Sequence, residues 1–409
     1  MPGSGQPGSG QPGSTPPSGR ARARDLGLAP GTLLPGPANA ITDVPGIRVG
    51  HATVIEGTDV RTGVTAIVPD RLVPEGRMPA ETMPAGLSVF NGFGKITGST
   101  QIAELGTIET PVLLTATLSV FRVADALLTY LRELRGGEQM PGTLNPVVAE
   151  TNDSFLSDIW ARPITAAHVR AALDSAAAGP VAEGCVGAGT GTGALGFKAG
   201  IGTSSRLVPL SGGPVTLGSL VQANFGGVLT VLGVPVPRAP DPGPPSGLAS
   251  GQNVPGQQAA GGSGRPPRPG SGHEDQPPPG SCVIVLATDA PLDARRLERV
   301  ASRAFAGMAR TGSNFSGNSG DYALAISTAP ASAAPETAER PAAANGSGLV
   351  SGDDLDLLFQ AAIEATEEAI LNSVFMAETT TGFRGHIRHA VSLDSVLQIT
   401  GRKARNGRM

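Results

Sequence analysis

The chain has 409 residues, a mass of 41.0 kDa, a net charge of -4 and a pI near 5.8. This acidic balance, with only 3% aromatic residues, argues against a nucleic-acid partner, because phosphate backbones need clustered cations and bases need aromatic platforms. No apolar run reaches the roughly 18 residues of a membrane span, and two cysteines without a Cys/His cluster predict neither a disulfide framework nor a metal site.

Glycine and proline divide the chain into ordered and disordered parts. Residues 1–38 form a Pro/Gly/Ser-rich tail and residues 238–280 a Pro/Gly-rich linker, and both are predicted to be disordered because they cannot bury enough apolar surface. Residues 329–348 form a third disordered insertion. Ordered structure is predicted to begin near Asn39, as one catalytic domain built from residues 39–280 and 281–409. The tail lacks the apolar core of a signal peptide, so a cytoplasmic location is expected.

The first half of the ordered part mixes strands and helices. The run ITDVPGIRVGHATV predicts two short strands around a Pro-Gly turn, and GVTAIVPD predicts another strand. The glycine-rich residues 86–100 indicate a loop-rich segment. Apolar spacing predicts helices over residues 119–134 and 163–177.

The second half has the stronger strand signals, which are PVTLGSLVQANFG, GVLTVLGVPV, CVIVLATDA and YALAIST. Helices are predicted over residues 293–310 and 354–377, the latter with an apolar face opposite Glu364, Glu367 and Glu368. Strands and helices mingle without a strict βα alternation. This order favours an α/β (α+β) layered sandwich over a doubly wound nucleotide fold.

The Gly280–Ser281 junction carries the most informative chemistry. A Pro-rich linker changes there, within one residue, into a strand that should be buried. If the chain is cut at this bond, Ser281 has both a hydroxyl and a free α-amine with a pKa of about 7.7–8.0, which can take the hydroxyl proton near neutral pH. On composition alone, Ser281 also fits a helix cap or the first residue of a strand.

Six motifs in a fixed order resemble the DmpA-type aminopeptidases, the L-aminopeptidase/D-esterase and β-peptidyl aminopeptidase family. They cover essentially everything between Ile41 and Gly382, and they are ITDVPGIRVGHAT, ETNDSFLSDI, GTGTGALGFKAGIGTSSR, VQANFGG, SCVIVLATDAPL and EATEEAILNSVFMAETTTG. The resemblance implies a four-layer αββα sandwich of the DmpA and ornithine-acetyltransferase type. It also implies self-cleavage before Ser281 and assembly of the processed αβ units into a homo-oligomer.

The resemblance also assigns roles to individual residues. It implies that Ser319 and Asp321 orient the nucleophile and its amine, that Asn224 stabilises the oxyanion, and that Glu150 binds the free amino group of the substrate. From the residues alone, SNFSGNSGD is equally a polar turn, Asn224 a residue at a strand end, and Glu150 a capping or surface residue.

Two further segments bear on the site. Relatives commonly have a tyrosine five residues after the glutamate, and Phe155 at this position lacks the hydroxyl that could assist the oxyanion. The run GAGTGTGALG suggests a phosphate loop, but the spacing to Lys198 does not match one. Close backbone packing at the wall of the active site is therefore favoured for this run.

These features predict an autoprocessed serine aminopeptidase or amidase. It would release N-terminal residues from short peptides, amides or esters through an acyl-enzyme on Ser281, without a cofactor. Two alternatives stay open: an acyltransferase of the ornithine-acetyltransferase kind, which normally uses threonine, and an uncut binding protein without catalysis. The preferred residue, its stereochemistry and the acceptance of β-amino acids are not determined by the sequence.

Overall fold

The computed structural model describes residues 19–73, 81–136, 142–238, 280–330 and 350–401. In chain order, the strands in these ranges are β1 (Ile47–Glu56), β2 (Val60–Pro69), β3 (Met83–Gly92), β4 (Thr107–Ile108), β5 (Val112–Ala116), β6 (Val147–Thr151), β7 (Gly193–Ala194), β8 (Phe197–Lys198), β9 (Ile201–Leu210), β10 (Gly213–Asn224), β11 (Thr230–Val231), β12 (Val234–Pro235), β13 (Ser281–Thr288), β14 (Gly320–Ser327), β15 (Thr380–Thr381) and β16 (Ile387–Arg388). The α-helices are α1 (Ser99–Leu105), α2 (Val120–Leu134), α3 (Ala166–Asp174), α4 (Ala294–Arg310), α5 (Gly352–Phe375) and α6 (Leu393–Ile399).

Two mixed sheets lie face to face between two pairs of helices. One sheet has the strand order β1-β2-β5-β6 and the other β4-β3-β14-β13-β10-β9. Helices α2 and α3 cover the outer face of the four-stranded sheet, and α4 and α5 cover that of the six-stranded sheet. One apolar core includes side chains from both sheets together with α2 and α3, and a second joins the six-stranded sheet to α4 and α5. The predicted αββα sandwich is confirmed.

Strand β13 lies in the middle of the six-stranded sheet and is buried on both faces. It pairs antiparallel with β10 and parallel with β14. Val283, Val285 and Ala287 belong to the core between the sheets, whereas Cys282, Ile284 and Leu286 belong to the core under α4 and α5. Because both faces are covered, the strand is almost continuously hydrophobic, and this explains the strong signal of CVIVLATDA in the sequence.

The predicted helices agree well with the structure. The helices predicted over residues 119–134, 293–310 and 354–377 correspond to α2, α4 and α5, with ends that differ by one or two residues. The helix predicted over residues 163–177 is shorter, because α3 begins only at Ala166 and ends at Asp174.

Two strand predictions and one loop prediction need correction. The first strand predicted in ITDVPGIRVGHATV is a short 3-10 turn, Ile41–Asp43, and β1 begins only at Ile47. GVLTVLGVPV forms a small hairpin of β11 and β12 instead of one strand. Residues 86–100, predicted as loop-rich, begin with the second half of β3. A side chain at Gly86 would meet the backbone nitrogen of Glu298 at 2.1 Å, so this glycine lets α4 approach the sheet.

Ordered packing begins earlier than Asn39. The Arg22 guanidinium donates to the carbonyl oxygens of Asn39 and Thr203 at 2.7 and 2.8 Å, and Leu28 is fully buried. Residues 19–38 are therefore bound to the domain, unlike the disordered tail predicted over residues 1–38. Charged side chains hold them in place, which a count of glycine and proline cannot detect.

The three glutamates of α5 are also not on a solvated face. Glu364, Glu367 and Glu368 are buried, and Arg206 of β9 lies fully buried between two of them. Its guanidinium contacts the Glu364 carboxylate at 3.3 Å and the Glu368 carboxylate at 2.8 Å. Arg24 makes a second ion pair with Glu368 at 2.7 Å. These ion pairs attach the N-terminal segment and β9 to α5.

Several predicted features lie outside the described residues. They are residues 1–18 of the tail, all of the linker 238–280 except its two ends, and most of the insertion 329–348. Within the described ranges, no helix has the length and apolar character that a bilayer span requires.

The buried ion pairs predict a large loss of stability on substitution. Glu368→Ala would leave Arg206 as a buried charge with fewer partners, which costs about 3–5 kcal/mol. We expect the thermal midpoint to fall by roughly 5 °C or more, measured by circular dichroism. Glu298→Ala on the exposed face of α4 is the matched control. Equal midpoints for the two variants would contradict a stabilising role for the ion pairs.

Candidate active site

The ends of three neighbouring strands bring most of the predicted site residues together. In the register of the sheet, Ser281 at the start of β13 lies opposite Asn224 at the end of β10. Cys282 lies opposite Asp321 at the start of β14. Residues from three distant parts of the sequence therefore meet at the same end of three neighbouring strands.

Ser281 is held in a confined position. Its side chain is 4% exposed, and its hydroxyl oxygen accepts a hydrogen bond from the backbone N–H of Gly320 at 3.2 Å. The preceding Gly280 has no room for a side chain, because a Cβ there would lie 1.9 Å from the carbonyl oxygen of Asn224. The Gly280–Ser281 bond thus lies directly against the end of β10.

The Asp321 carboxylate has donors for both of its oxygens. The Ser319 hydroxyl donates to Oδ1 at 2.7 Å, and the Asn91 amide donates to Oδ2 at 2.8 Å. Burial raises the pKa of Asp321, and these two hydrogen bonds, with one from the backbone N–H of Cys282, oppose that rise. The carboxylate therefore lies beside the Ser281–Cys282 peptide. Asn91 was not identified from the sequence, although it stands in the glycine-rich segment 86–100.

The Asn224 side chain has one defined orientation. Its Oδ1 accepts from the backbone N–H of Gly193 at 3.1 Å, and its Nδ2 donates to the carbonyl oxygen of Asn152 at 2.8 Å. An amide nitrogen carries two N–H donors. The second has no hydrogen-bond partner among the described residues, and Asn224 itself is buried.

The glycine-rich run at residues 187–196 is packed against other backbone. A Cβ at Gly191 would lie 2.0 Å from the carbonyl oxygen of Arg61, and the Gly193 N–H holds Asn224. The Lys198 ammonium is fully buried and donates to the carbonyl oxygens of Gly189 and Ala199 at 3.1 and 2.5 Å. Close packing next to the site is confirmed for this run, and Lys198 does not point toward a phosphate position.

A pocket of about 320 Å³ opens beside Ser281. Glu150 lies in its wall and is 2% exposed. Its Oε1 accepts from the backbone N–H and the ammonium of Lys95 at 3.1 and 3.3 Å, whereas Oε2 is buried without a partner among the described residues. Burial raises the pKa of Glu150, and the Lys95 charge opposes that rise. The lining residues are Gly92, Phe93, Gly94, Lys95, Thr117, Glu150, Asn152, Ser281 and Asn318.

The Phe155 side chain packs against His386 and Arg388. Its ring stacks on the ring of His386 at 4.5 Å, and the Arg388 guanidinium lies 4.5 Å from its centroid. Phe155 is not one of the described residues that line the pocket beside Ser281. Asn152, three residues earlier, lies there instead and holds Asn224. Neither Asn152 nor Lys95 was identified from the sequence as a site residue, although Asn152 lies in the ETNDSFLSDI motif and Lys95 in the glycine-rich residues 86–100.

This fold and this strand-initial serine define the class of N-terminal-nucleophile hydrolases. Residues 39–388 match peptidase family S58, and the chain belongs to that family. It is 39% identical over 384 residues to the β-peptidyl aminopeptidase BapA of Sphingosinicella microcystinivorans, covering 89% of this chain and 88% of the relative.

Two solved structures agree with this assignment. A β-aminopeptidase from Burkholderia sp. superposes with a TM-score of 0.73 at 37% identity, over 94% of this chain and all of the other. The L-aminopeptidase D-Ala-esterase/amidase of Ochrobactrum anthropi superposes with a TM-score of 0.74 at 36% identity, over 93% and 99%. The chain is thus a hydrolase of peptide bonds, a serine aminopeptidase of the N-terminal-nucleophile type, and that fold implies autocatalytic processing.

The packing of the glycine-rich run predicts a position-specific cost. Gly191→Ala would force a Cβ against the Arg61 carbonyl and destabilise the fold by about 1–3 kcal/mol. Gly212→Ala is the matched control, because nothing lies within 4 Å of a Cβ at that position. We expect only the Gly191 variant to unfold at lower urea concentration. Equal midpoints would show that the backbone at Gly191 can move at little cost.

Proposed function

We propose that the chain cuts itself between Gly280 and Ser281 and then uses Ser281 to release N-terminal residues from short peptides, amides or esters. One arrangement carries this proposal: Ser281 lines the same pocket as the buried Glu150, one of whose oxygens has no hydrogen-bond partner within the described ranges. A nucleophile and an acceptor for an ammonium group thus lie within one small space. That combination suits a substrate with a free amino terminus.

In processing, the Ser281 hydroxyl attacks the carbonyl carbon of Gly280. The C–N bond breaks, the nitrogen takes the hydroxyl proton and becomes the α-amine of Ser281, and Gly280 remains as an ester on Oγ. Water then hydrolyses this ester, so that residues 1–280 become a separate chain that ends in a carboxylate at Gly280, and the Ser281 hydroxyl is restored. The lack of a side chain at Gly280 lets this bond lie against the backbone of Asn224.

In turnover, the new α-amine is the base. It takes the proton of Oγ as the hydroxyl attacks the carbonyl of the substrate, and later returns the proton to the leaving amine. The second N–H of Asn224 is a donor for the oxyanion. Asp321, held by Ser319 and Asn91, places a negative charge beside the amine and raises its pKa. Water finally hydrolyses the acyl-enzyme.

The Glu150 carboxylate is proposed to bind the amino group of the substrate through Oε2. A pocket of about 320 Å³ accommodates a residue of modest size. The names of the relatives support N-terminal β-residues as substrates beside α-residues.

Assembly and location are also part of the proposal. Phe90 and Phe93, next to the pocket, are 55% and 69% exposed, which supports a homo-oligomer of processed units that covers them. Cys185 and Cys282 are free thiols, which supports a cytoplasmic location.

Replacing the nucleophile tests the proposal directly. Ser281→Ala should give one uncut 41.0 kDa chain without peptidase activity, because both reactions need Oγ. The unchanged protein should give two chains, of residues 1–280 and 281–409, with serine at the new amino terminus. Denaturing gels, intact mass and a panel of L-, D- and β-residue p-nitroanilides measure these outcomes.

Ser302→Ala in α4 is the matched control, because this hydroxyl contacts only its own helix: it donates to the carbonyl oxygen of Arg299 and accepts from the Arg303 guanidinium. It should process and hydrolyse normally. Cleavage at the same bond in the Ser281→Ala chain would overturn the assignment, since another nucleophile or a host protease would then be responsible.

The raised pKa of Glu150 predicts a particular pH dependence. A carboxyl that must be ionised to bind an ammonium loses function as the pH falls through its pKa. Protonation of the Ser281 α-amine already lowers kcat/KM on the acid side, and Glu150 adds a second loss, which burial moves to a higher pH than an ordinary glutamate would show. Glu150→Gln should lower kcat/KM roughly ten- to a hundredfold, mainly through KM, and should remove the Glu150 titration from the acid limb, so that only the titration of the α-amine remains.

Glu104→Gln, on the exposed face of α1, is the control for this variant. It should keep both the rate and the acid limb. An acid limb that persists unchanged in the Glu150→Gln enzyme would assign the titration to a different group.

A further inference from the structure

The pocket beside Ser281 contains charges of both signs. Glu150 contributes a carboxylate and Lys95 an ammonium, and the other described lining residues are neutral apart from the α-amine that Ser281 gains on processing, which has Asp321 as its own carboxylate. An acceptor for a substrate ammonium requires only the carboxylate. The lysine therefore needs its own explanation.

The Lys95 ammonium is held by two side chains and keeps the capacity for a third hydrogen bond. It donates to the Thr117 hydroxyl at 2.8 Å and to Oε1 of Glu150 at 3.3 Å. An ammonium has three N–H donors, so one is left without a partner among the described residues. The Lys95 side chain is 38% exposed, whereas that of Glu150 is 3% exposed. The lysine thus faces the open part of the pocket, and the carboxylate lies deeper.

Binding of an ordinary substrate would unbalance these charges. An ammonium at Oε2 of Glu150 would share one carboxylate with Lys95, leaving one surplus positive charge in a partly desolvated space. Like charges at close range disfavour such a complex. A carboxylate on the same substrate residue would restore the balance by pairing with the Lys95 ammonium.

The short distance between the two protein charges limits where that carboxylate can lie. Nζ of Lys95 and Oε1 of Glu150 are 3.3 Å apart, so the ammonium and the carboxylate of the substrate must also be near neighbours. Aspartyl residues meet this condition, whether the cleaved bond is formed by the α- or by the β-carboxyl group, because the other carboxyl group stays free close to the amine.

We propose that Lys95 is a specificity-determining residue, which selects N-terminal residues that carry a carboxylate close to the amino group, with aspartyl residues as the preferred class. This inference rests on the proposed aminopeptidase function of the pocket. In the alternative, Lys95 only positions Glu150 and does not contact the substrate.

The experiment compares substrates that differ only in charge. One pair is the β-p-nitroanilide of L-aspartate and its α-carboxamide, and the other is the α-p-nitroanilides of L-aspartate and L-asparagine. The processed wild-type enzyme should prefer the carboxylate, by kcat/KM, roughly tenfold or more for the linkage that it accepts. Lys95→Met should reduce this ratio about tenfold, whereas Lys95→Arg, which keeps the charge, should preserve the direction of the preference.

Each outcome decides between these possibilities. A wild-type ratio of one or less overturns the inference, and so does a preference that Lys95→Met leaves unchanged. If the Met variant does not fold or process, the wild-type ratio and the Arg variant decide. Hydrolysis of the neutral substrates alone overturns the role of Lys95 but keeps the proposed function. A cut chain that hydrolyses no substrate of either charge overturns both.

Discussion

The pairing register of β13 is the constraint on which the site depends. Asn224 lies opposite Ser281 and Asp321 opposite Cys282, so the oxyanion candidate and the carboxylate are positioned by backbone hydrogen bonds. Side chains alternate along a strand, and a slip of one residue would move every one to the other face. Here that slip would exchange two different apolar cores. The packing of the whole sandwich therefore holds the serine in place.

The buried charged groups around Arg206 and those in the pocket beside Ser281 differ in how completely they are paired. Around Arg206, the guanidinium pairs with Glu364 and Glu368, and all three side chains are occupied. In the pocket, by contrast, one Glu150 oxygen has no partner in the described part of the chain, at a cost that a stabilising network would avoid. The first arrangement joins the N-terminal segment to α5. The second retains binding capacity for a ligand.

Glycine contributes to the site mainly through backbone contacts. Gly193 fixes the Asn224 amide, Gly320 donates to the Ser281 hydroxyl, and Gly280 packs against the backbone of Asn224. A Cβ at Gly193 or at Gly320 would lie 2.9 Å from the carbonyl oxygen of Phe197 or of Phe93, so the backbone is closely packed at both positions. Donors held by ordered backbone favour a preorganised site.

The sequence by itself determined the layered α/β class, the helices α2, α4 and α5, and the family resemblance around Ser281, because these follow from local periodicity and from motifs in fixed order. It also identified residues that the structure gathers at one place, namely Ser281, Asn224, Ser319, Asp321 and Glu150. Only the tertiary structure decided that residues 19–38 are ordered, that the glutamates of α5 are buried, and that Lys95, Asn91 and Asn152 surround the site. These depend on long-range charge pairs and on strand register, and neither leaves a periodic signal in the chain.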